Sequence, residues 1–143
     1  MLSKTAEYAL RVIAHLAKHS PPHAKVHAIA DATKVPPGYA AKILQDLTRL
    51  GLVRSQRGPT GGFVLARDPS EITLLQVINA VDPIQRITSC PLGNRDHAHQ
   101  LCRLHRTLDD ALASVERRLG DTTLADLGCK GGVETLRASL PGT

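Results

Sequence analysis

The hydrophobic positions of this chain follow a helical period over most of its length. Between residues 38 and 50 the apolar side chains lie three or four positions apart, so they share one face of a helix whose other face is polar. The same spacing predicts further helices, at residues 3–19, 26–33, 72–81 and 101–119, and a short helical turn at residues 122–127.

Two short runs of β-forming residues follow the helix at residues 38–50. They cover residues 52–57 and 63–67 and are separated by Gly-Pro-Thr-Gly-Gly, which predicts a tight turn. Gly51 lies where a helix commonly ends in a left-handed residue. The pattern therefore predicts a mainly α fold with a small β-hairpin, in the order of a winged helix-turn-helix domain followed by a long C-terminal helix.

The long helix carries a narrow apolar seam with alternating three- and four-residue steps, formed by Leu101, Leu104, Leu108, Ala111, Val115 and Leu119. Its other side is charged, with Asp109, Asp110, Glu116, Arg117 and Arg118. A helix of this length cannot easily bury such a seam on its own small chain, so we expect a homodimer, with some packing back onto the first helix. We expect four parts: a DNA-binding domain at residues 1–82, a sensor loop at 83–100, a dimerisation helix with its helical turn at 101–127, and a flexible tail at 128–143.

Charge points to a polyanionic partner. The 143 residues carry a net charge of +5 and have a pI near 9.4. Aromatic residues make up only 2% of the chain, which favours duplex over single-stranded nucleic acid. Cationic side chains gather on the helix at 38–50 and on the hairpin, so the helix can enter a major groove while the hairpin follows the phosphates. The alternative is a charged face that is only solvated. The cations are Lys42, Arg49, Arg54, Arg57 and Arg67.

Several classes of protein are disfavoured by the sequence. No apolar run approaches the roughly 20 residues needed to cross a bilayer, and charges interrupt the first twenty residues, so we expect a cytoplasmic protein without membrane contact. Three cysteines are an odd number, which argues against a disulfide framework. No paired carboxylates or nucleophile motif accompany the Cys/His loop, so an enzyme is not expected.

Four potential metal ligands fall within sixteen consecutive positions. Cys90 and His97 lie in the polar loop, and Cys102 and His105 stand three residues apart at the head of the long helix. Two thiolates and two imidazoles suit zinc or an iron–sulfur cluster, although the spacing matches no common zinc signature. The competing interpretation is general histidine content, since seven histidines are spread over the chain. Cys129 stands apart in a Gly-rich tail and is interpreted as an unpaired thiol.

Several stretches together resemble one family of regulators. TAEYALRVIAHLA, GLVRSQRGPTGGFVLARDP, EITLLQVINAVD, Cys-Pro-Leu and TTLADL are similar to the Rrf-type winged-helix regulators of bacteria, over about residues 1 to 127. The resemblance implies a dimer that binds a partly palindromic promoter site. It places groove contacts at the start of the recognition helix and further contacts at the wing tip; a glutamate that discriminates among bases in one member is replaced here by Ala41. The expected DNA-binding residues are Tyr39, Lys42, Gln45, Arg49, Arg54, Arg57, Gly58, Thr60 and Gly61.

The resemblance also implies a sensing centre. Many members hold an iron–sulfur cluster on three loop cysteines; Cys90 and Cys102 match the first and last of these, but the middle position, near Asp96, is not cysteine. His105 falls at the position of a histidine ligand, and Glu7 at that of a carboxylate supplied by the other subunit. The expected set is Cys90, Cys102 and His105 with His97 or the partner's Glu7, holding a 2Fe-2S cluster that senses redox state or nitric oxide. Zinc, an empty site, and a winged-helix module used only for protein contacts remain the alternatives.

Overall fold

A computed structural model describes residues 2–19, 22–89 and 101–128 of the chain. Within these ranges the fold is mainly helical with one two-stranded antiparallel hairpin, as the sequence pattern predicts. In chain order the elements are α1 (Lys4–His19), α2 (Val26–Thr33), α3 (Pro37–Arg49), β1 (Val53–Gln56), β2 (Gly62–Leu65), a 3-10 turn (Pro69–Glu71), α4 (Leu74–Val81), α5 (Arg103–Asp121) and α6 (Leu124–Leu127).

The first four helices pack around a common apolar core. Each contributes side chains from the face that the three- and four-residue spacing predicts, and the largest of them are almost completely excluded from solvent. Fully burying a side chain of this size stabilises a fold by about 1.5–3 kcal/mol. The core therefore fixes α3 with its apolar face inward and its polar face towards solvent. Representative core residues are Ile13, Ile29, Leu44, Leu47 and Ile78.

Helix termini follow local capping chemistry. Ser3 caps α1, since its Oγ accepts a hydrogen bond from the Ala6 N–H at 3.1 Å. Helix α4 was expected from residue 72, but it begins at Leu74. The reason is a capping box: the Thr73 side chain accepts from the Gln76 N–H, and the Gln76 side chain accepts from the Thr73 N–H. Ile72 remains in extended backbone with its side chain fully buried.

Helix α5 lies on the outside of this core. None of its 19 residues is buried, and its packing within the described residues is mainly against α4. The segment after α5 is tied back to the body by two backbone hydrogen bonds of 2.9 Å, from the Leu74 N–H to the Thr122 carbonyl and from the Leu124 N–H to the Ile72 carbonyl. The body therefore anchors the C-terminal end of α5. Among the described residues, no helix has the length and apolarity to cross a membrane.

Candidate functional site

Helix α3 presents a polar face to solvent. Tyr39, Lys42 and Gln45 are exposed at three-residue intervals, which places them on one side of the helix. The opposite side, which includes Ala40 and Ile43, is buried against the core. Three predicted DNA-binding residues therefore share one accessible surface.

The Tyr39 ring is oriented by α1. It lies edge-on to the Tyr8 ring, with centroids 5.8 Å apart, and 52% of the residue remains exposed. Lys4 and Arg11 place their cationic groups 5.6 and 5.8 Å from the centroid of the Tyr8 ring. Sequence spacing did not reveal this cluster, because the contact joins two different helices.

The hairpin forms the wing beside α3. Val53 pairs with Leu65 and Gln56 with Gly62. Val53 is buried, whereas the predicted phosphate contact Arg54 is exposed, like the two residues that follow it in β1. Arg57, the next predicted phosphate contact along the chain, is also exposed.

The wing tip is a tight turn. The Gly61 N–H donates to the Gly58 carbonyl at 3.0 Å, and Gly58 has a φ of +101°, which favours glycine. Gly58 and Thr60 are exposed, but Gly61 is buried. A Cβ on Gly61 would lie 2.1 Å from the Gln56 carbonyl oxygen, so the turn has no space for a side chain there. Gly61 therefore allows the tight turn at the wing tip.

Arg49, a predicted phosphate contact, pairs with an acidic residue of its own helix. Its Nη2 lies 3.0 Å from Asp46 Oδ1, and 71% of the arginine side chain is exposed. Exposed pairs of this kind contribute only about 0–1 kcal/mol. Asp46 therefore holds Arg49 only weakly.

Cys102 and His105 meet at the start of α5. Cys102 occupies the N-cap position, and its Sγ lies 3.1 Å from His105 Nδ1. Both residues are partly exposed. A thiol and an imidazole in contact fit two positions of a zinc or iron–sulfur ligand set. The other predicted ligands on the loop, Cys90 and His97, lie outside the described residues, as does Cys129.

Glu7, the predicted ligand from a second subunit, is engaged within its own helix. Its carboxylate accepts a hydrogen bond from Arg11 and lies 3.9 Å from Lys4 Nζ. To reach a metal centre, it would have to exchange these cations for the metal. Among the described residues, no three His, Cys, Asp or Glu side chains are grouped closely enough to hold a metal ion.

Arg86, shortly before the loop, forms ion pairs with two acidic residues of α5. Arg86 donates to both carboxylate oxygens of Asp109 at 2.7 Å and lies 3.4 Å from Glu116, while the Ile87 N–H donates to Asp109 at 2.9 Å. The hydrogen bond from Arg86, followed by that from Ile87, lowers the pKa of Asp109 from 3.8 to about 2. The same pairing raises the pKa of Arg86. We name this set, Arg86, Asp109 and Glu116, the Arg86 clip.

The Arg86 clip was missed at the level of sequence. Asp109 and Glu116 were assigned to the side of α5 away from the apolar seam, together with Asp110, Arg117 and Arg118. Asp109 and Glu116 are seven residues apart, which is about two helical turns, so they lie on the same face of α5. This spacing indicates that one cationic residue could pair with both. The partner itself, 23 residues before Asp109, had no local signature.

The apolar seam of α5 divides into two halves. Leu104 and Leu108, in the N-terminal half, are 64% and 47% exposed. Val115 and Leu119, in the C-terminal half, line a groove of about 300 Å³ together with Ala6 of α1 and Ile78 of α4. The sequence predicts partial packing on the first helix; in the described part of the chain the C-terminal half faces α1 across this groove and packs mainly on α4.

The known proteins that resemble this chain are described as transcriptional regulators. Residues 2–130 match the Rrf2 family, described as iron-dependent transcriptional regulators. A putative HTH-type transcriptional regulator of Aquifex aeolicus is 31% identical over 130 residues, covering 89% of this chain and 90% of that protein. The HTH-type transcriptional regulator NsrR of Geobacillus kaustophilus is 33% identical over 129 residues, covering 88% of each.

Solved structures agree with the fold. IscR of T. potens superposes with a TM-score of 0.74 at 22% identity, covering 100% of this chain and 93% of that one. CymR, the global cysteine regulator of B. subtilis, also has a TM-score of 0.74, at 26% identity, covering 89% of this chain and 95% of that one. The chain therefore belongs to the Rrf2 family of winged-helix transcriptional regulators, whose members are not enzymes.

Proposed function

We propose that the protein is a cytoplasmic homodimeric repressor that binds a partly palindromic promoter site through α3 and the wing. The observation that carries the proposal is the exposed polar face of α3, with Tyr39, Lys42 and Gln45, beside a wing whose Arg54 and Arg57 point to solvent. On this proposal Tyr39 and Lys42 approach base edges, while the arginines neutralise phosphates.

The remaining residues of the proposed interface have different roles. Gly58, Thr60 and Gly61 shape the tip that approaches the backbone of the duplex, and Gln45 lies one helical turn beyond Lys42 on the same face. Arg49 exchanges its surface pair with Asp46 for a phosphate oxygen. These assignments combine exposed position with side-chain chemistry suited to phosphate or base edges.

Salt dependence tests the electrostatic part of the proposal. If a dimer contacts about eight phosphates, its affinity for operator DNA falls about 10³-fold or more between about 50 and 200 mM salt. The measurement is the dissociation constant by fluorescence anisotropy across that range. A flat response would contradict the proposed contacts.

Dimerisation along α5 is the second part of the proposal. The helix buries none of its residues on its own chain, and Leu104 and Leu108 remain exposed in a period that suits a facing helix. A two-fold pair would present two copies of α3 to two half-sites. The proposed division stays at residues 1–82 for DNA binding, 83–100 for the sensor loop, 101–127 for dimerisation and 128–143 for a flexible tail.

A sensing centre at the head of α5 is the third part. Cys102 and His105 are in contact there and supply one thiolate and one imidazole; we assign Cys90 and His97, with the partner's Glu7 as the alternative to His97, to the remaining positions. A bound 2Fe-2S cluster would supply a redox-active group, and nitrogen ligands raise its reduction potential relative to an all-thiolate set. Zinc at the same residues would be structural or respond to thiol oxidation.

Anaerobic purification tests the centre. Absorption in the visible range with stoichiometric iron and sulfide would support a cluster, whereas zinc in a colourless protein would support the alternative metal. The Cys102→Ser variant should lose most of the bound metal, and Ser114→Ala, further along α5, should retain it. A metal-free protein that binds its operator unchanged after chelation would remove the centre from the proposal.

A further inference from the structure

The tip of the wing is tied down by a side chain from outside the hairpin. Lys25, between α1 and α2, donates from Nζ to the Gly58 carbonyl oxygen at 2.7 Å. The same oxygen accepts the Gly61 N–H that closes the turn. The Gly58 carbonyl therefore accepts one hydrogen bond that closes the turn and one that connects the turn to the helical body.

The start of β2, next to the tip, is also fixed to the segment before α2. Ala24 and Phe63 exchange two backbone hydrogen bonds, of 2.9 and 2.8 Å. A Cβ on Gly62 would lie 2.5 Å from the Ala24 carbonyl oxygen, so the two backbones approach as closely as glycine allows. Ala24 holds the start of β2, and its neighbour Lys25 holds the tip.

The hairpin needs such support. Each strand has only four residues, and an isolated two-stranded hairpin of this size is marginally stable in water. Residues 57–60 are all exposed, so they have little packing of their own. The ammonium group of Lys25 has three donors and uses one on Gly58. Lys25 thus adds a charged hydrogen bond from the body to the Gly61–Gly58 hydrogen bond that closes the turn.

We propose that Lys25 is a positioning residue for DNA binding, which latches the wing tip at a set distance from α3. The inference rests on the proposed DNA-binding function. A wing fixed before encounter lets Arg57 meet its phosphate while α3 occupies the groove, without the cost of ordering the tip on binding. Lys25 acts through Gly58 and need not touch the duplex.

The test compares Lys25→Met with wild type in the full-length dimer. In free protein, the Gly61 amide should exchange with solvent several-fold faster, because its acceptor loses the second restraint. The dissociation constant for operator DNA should rise about tenfold at every salt concentration, with the slope against log salt unchanged. Lys25→Arg, which retains a donor, should restore slow exchange and most of the affinity.

Lys18→Met is the matched control. It removes the same charge from an exposed position at the end of α1 and should leave both readouts unchanged. A salt slope shallower by about 1.8, which is about 0.9 for each subunit of the dimer, with normal Gly61 exchange would show that Lys25 is only a phosphate contact, and would overturn the proposal. Unchanged affinity in Lys25→Met would also overturn it. If wild-type protein binds no duplex, the proposed function fails, while amide exchange still decides whether the latch exists.

Discussion

At the scale of single residues, the Arg86 clip joins the start of the proposed sensor loop to α5. Asp109 accepts hydrogen bonds from the Arg86 guanidinium and the Ile87 N–H, which both favour its ionised form. The pKa of Asp109 is lower in the folded state than in the unfolded chain. The clip therefore stabilises the fold at pH values above the pKa that Asp109 has in the unfolded chain. That stabilisation is lost as pH falls from about 3.8 to about 2.

The pH dependence gives a prediction for Asp109→Asn. The variant should unfold at lower denaturant concentration than wild type at neutral pH, and the difference should shrink as the pH falls below about 3.8 and disappear below about 2. Chemical denaturation at a series of pH values measures it. Asp110→Asn is the control, because Asp110 is exposed and adjacent. Equal effects of the two substitutions at neutral pH would contradict the clip.

The site residues show how far local sequence information reaches. The exposure of Tyr39, Lys42 and Gln45 could be predicted, because one helical period places them opposite the apolar residues of α3. The contact of Cys102 with His105 also followed from a three-residue spacing. Pairs between distant segments, such as Tyr8 with Tyr39, depend on how helices pack, which no short-range pattern encodes.

At the scale of elements, the helices were predictable and their ends less so. Helix α2 was predicted with the bounds that it has, whereas α4 begins two residues later because the Thr73 capping box overrides the apolar period. The positive φ of Gly51, +75°, was also predictable from its place after α3. Strand β1 is one residue shorter at each end than its predicted run, whereas β2 begins one residue earlier than predicted, at Gly62, and ends two residues earlier, at Leu65.

The wing turn gives a prediction about Gly61. In Gly61→Ala the new Cβ would lie 2.1 Å from the Gln56 carbonyl oxygen and 2.8 Å from the Arg57 carbonyl carbon, so the backbone must shift. We expect a loss of about 1–3 kcal/mol in the free energy of unfolding, measured by denaturant titration. The control is Gly38→Ala in α3, where the added Cβ meets nothing within 4 Å and helix propensity favours alanine by up to about 1 kcal/mol. A Gly61→Ala protein as stable as wild type would show that the turn is looser than described.

At the scale of the whole molecule, α5 is the helix on which the proposed dimer rests, and none of its residues is buried. Its length and seam could be predicted from the sequence, but the split between a packed half and an exposed half could not. That split follows from the Leu124 region docking on the body and holding the C-terminal end of α5 against α4. The N-terminal half extends beyond the core, with Leu104 and Leu108 exposed.

Charged residues on that exposed half should separate the dimer without unfolding the chain. In Leu104→Glu/Leu108→Glu, two side chains lose about 1.5–3 kcal/mol of burial each at the proposed interface, which weakens association by at least tenfold. Analytical ultracentrifugation measures the shift, and circular dichroism verifies the fold. Arg106→Glu, on the other side of α5, should remain dimeric. A double variant that dimerises as tightly as wild type would place the interface elsewhere.

The central claim is that a two-fold pair presents α3 and its wing to opposite halves of a duplex. Selection of bound sequences from a pool of random duplexes tests it most directly. The account predicts enrichment of a partly palindromic site whose half-sites are centred about 10 base pairs, or a multiple of that, apart. Enrichment of no sequence, or of a single unrepeated half-site, would contradict it.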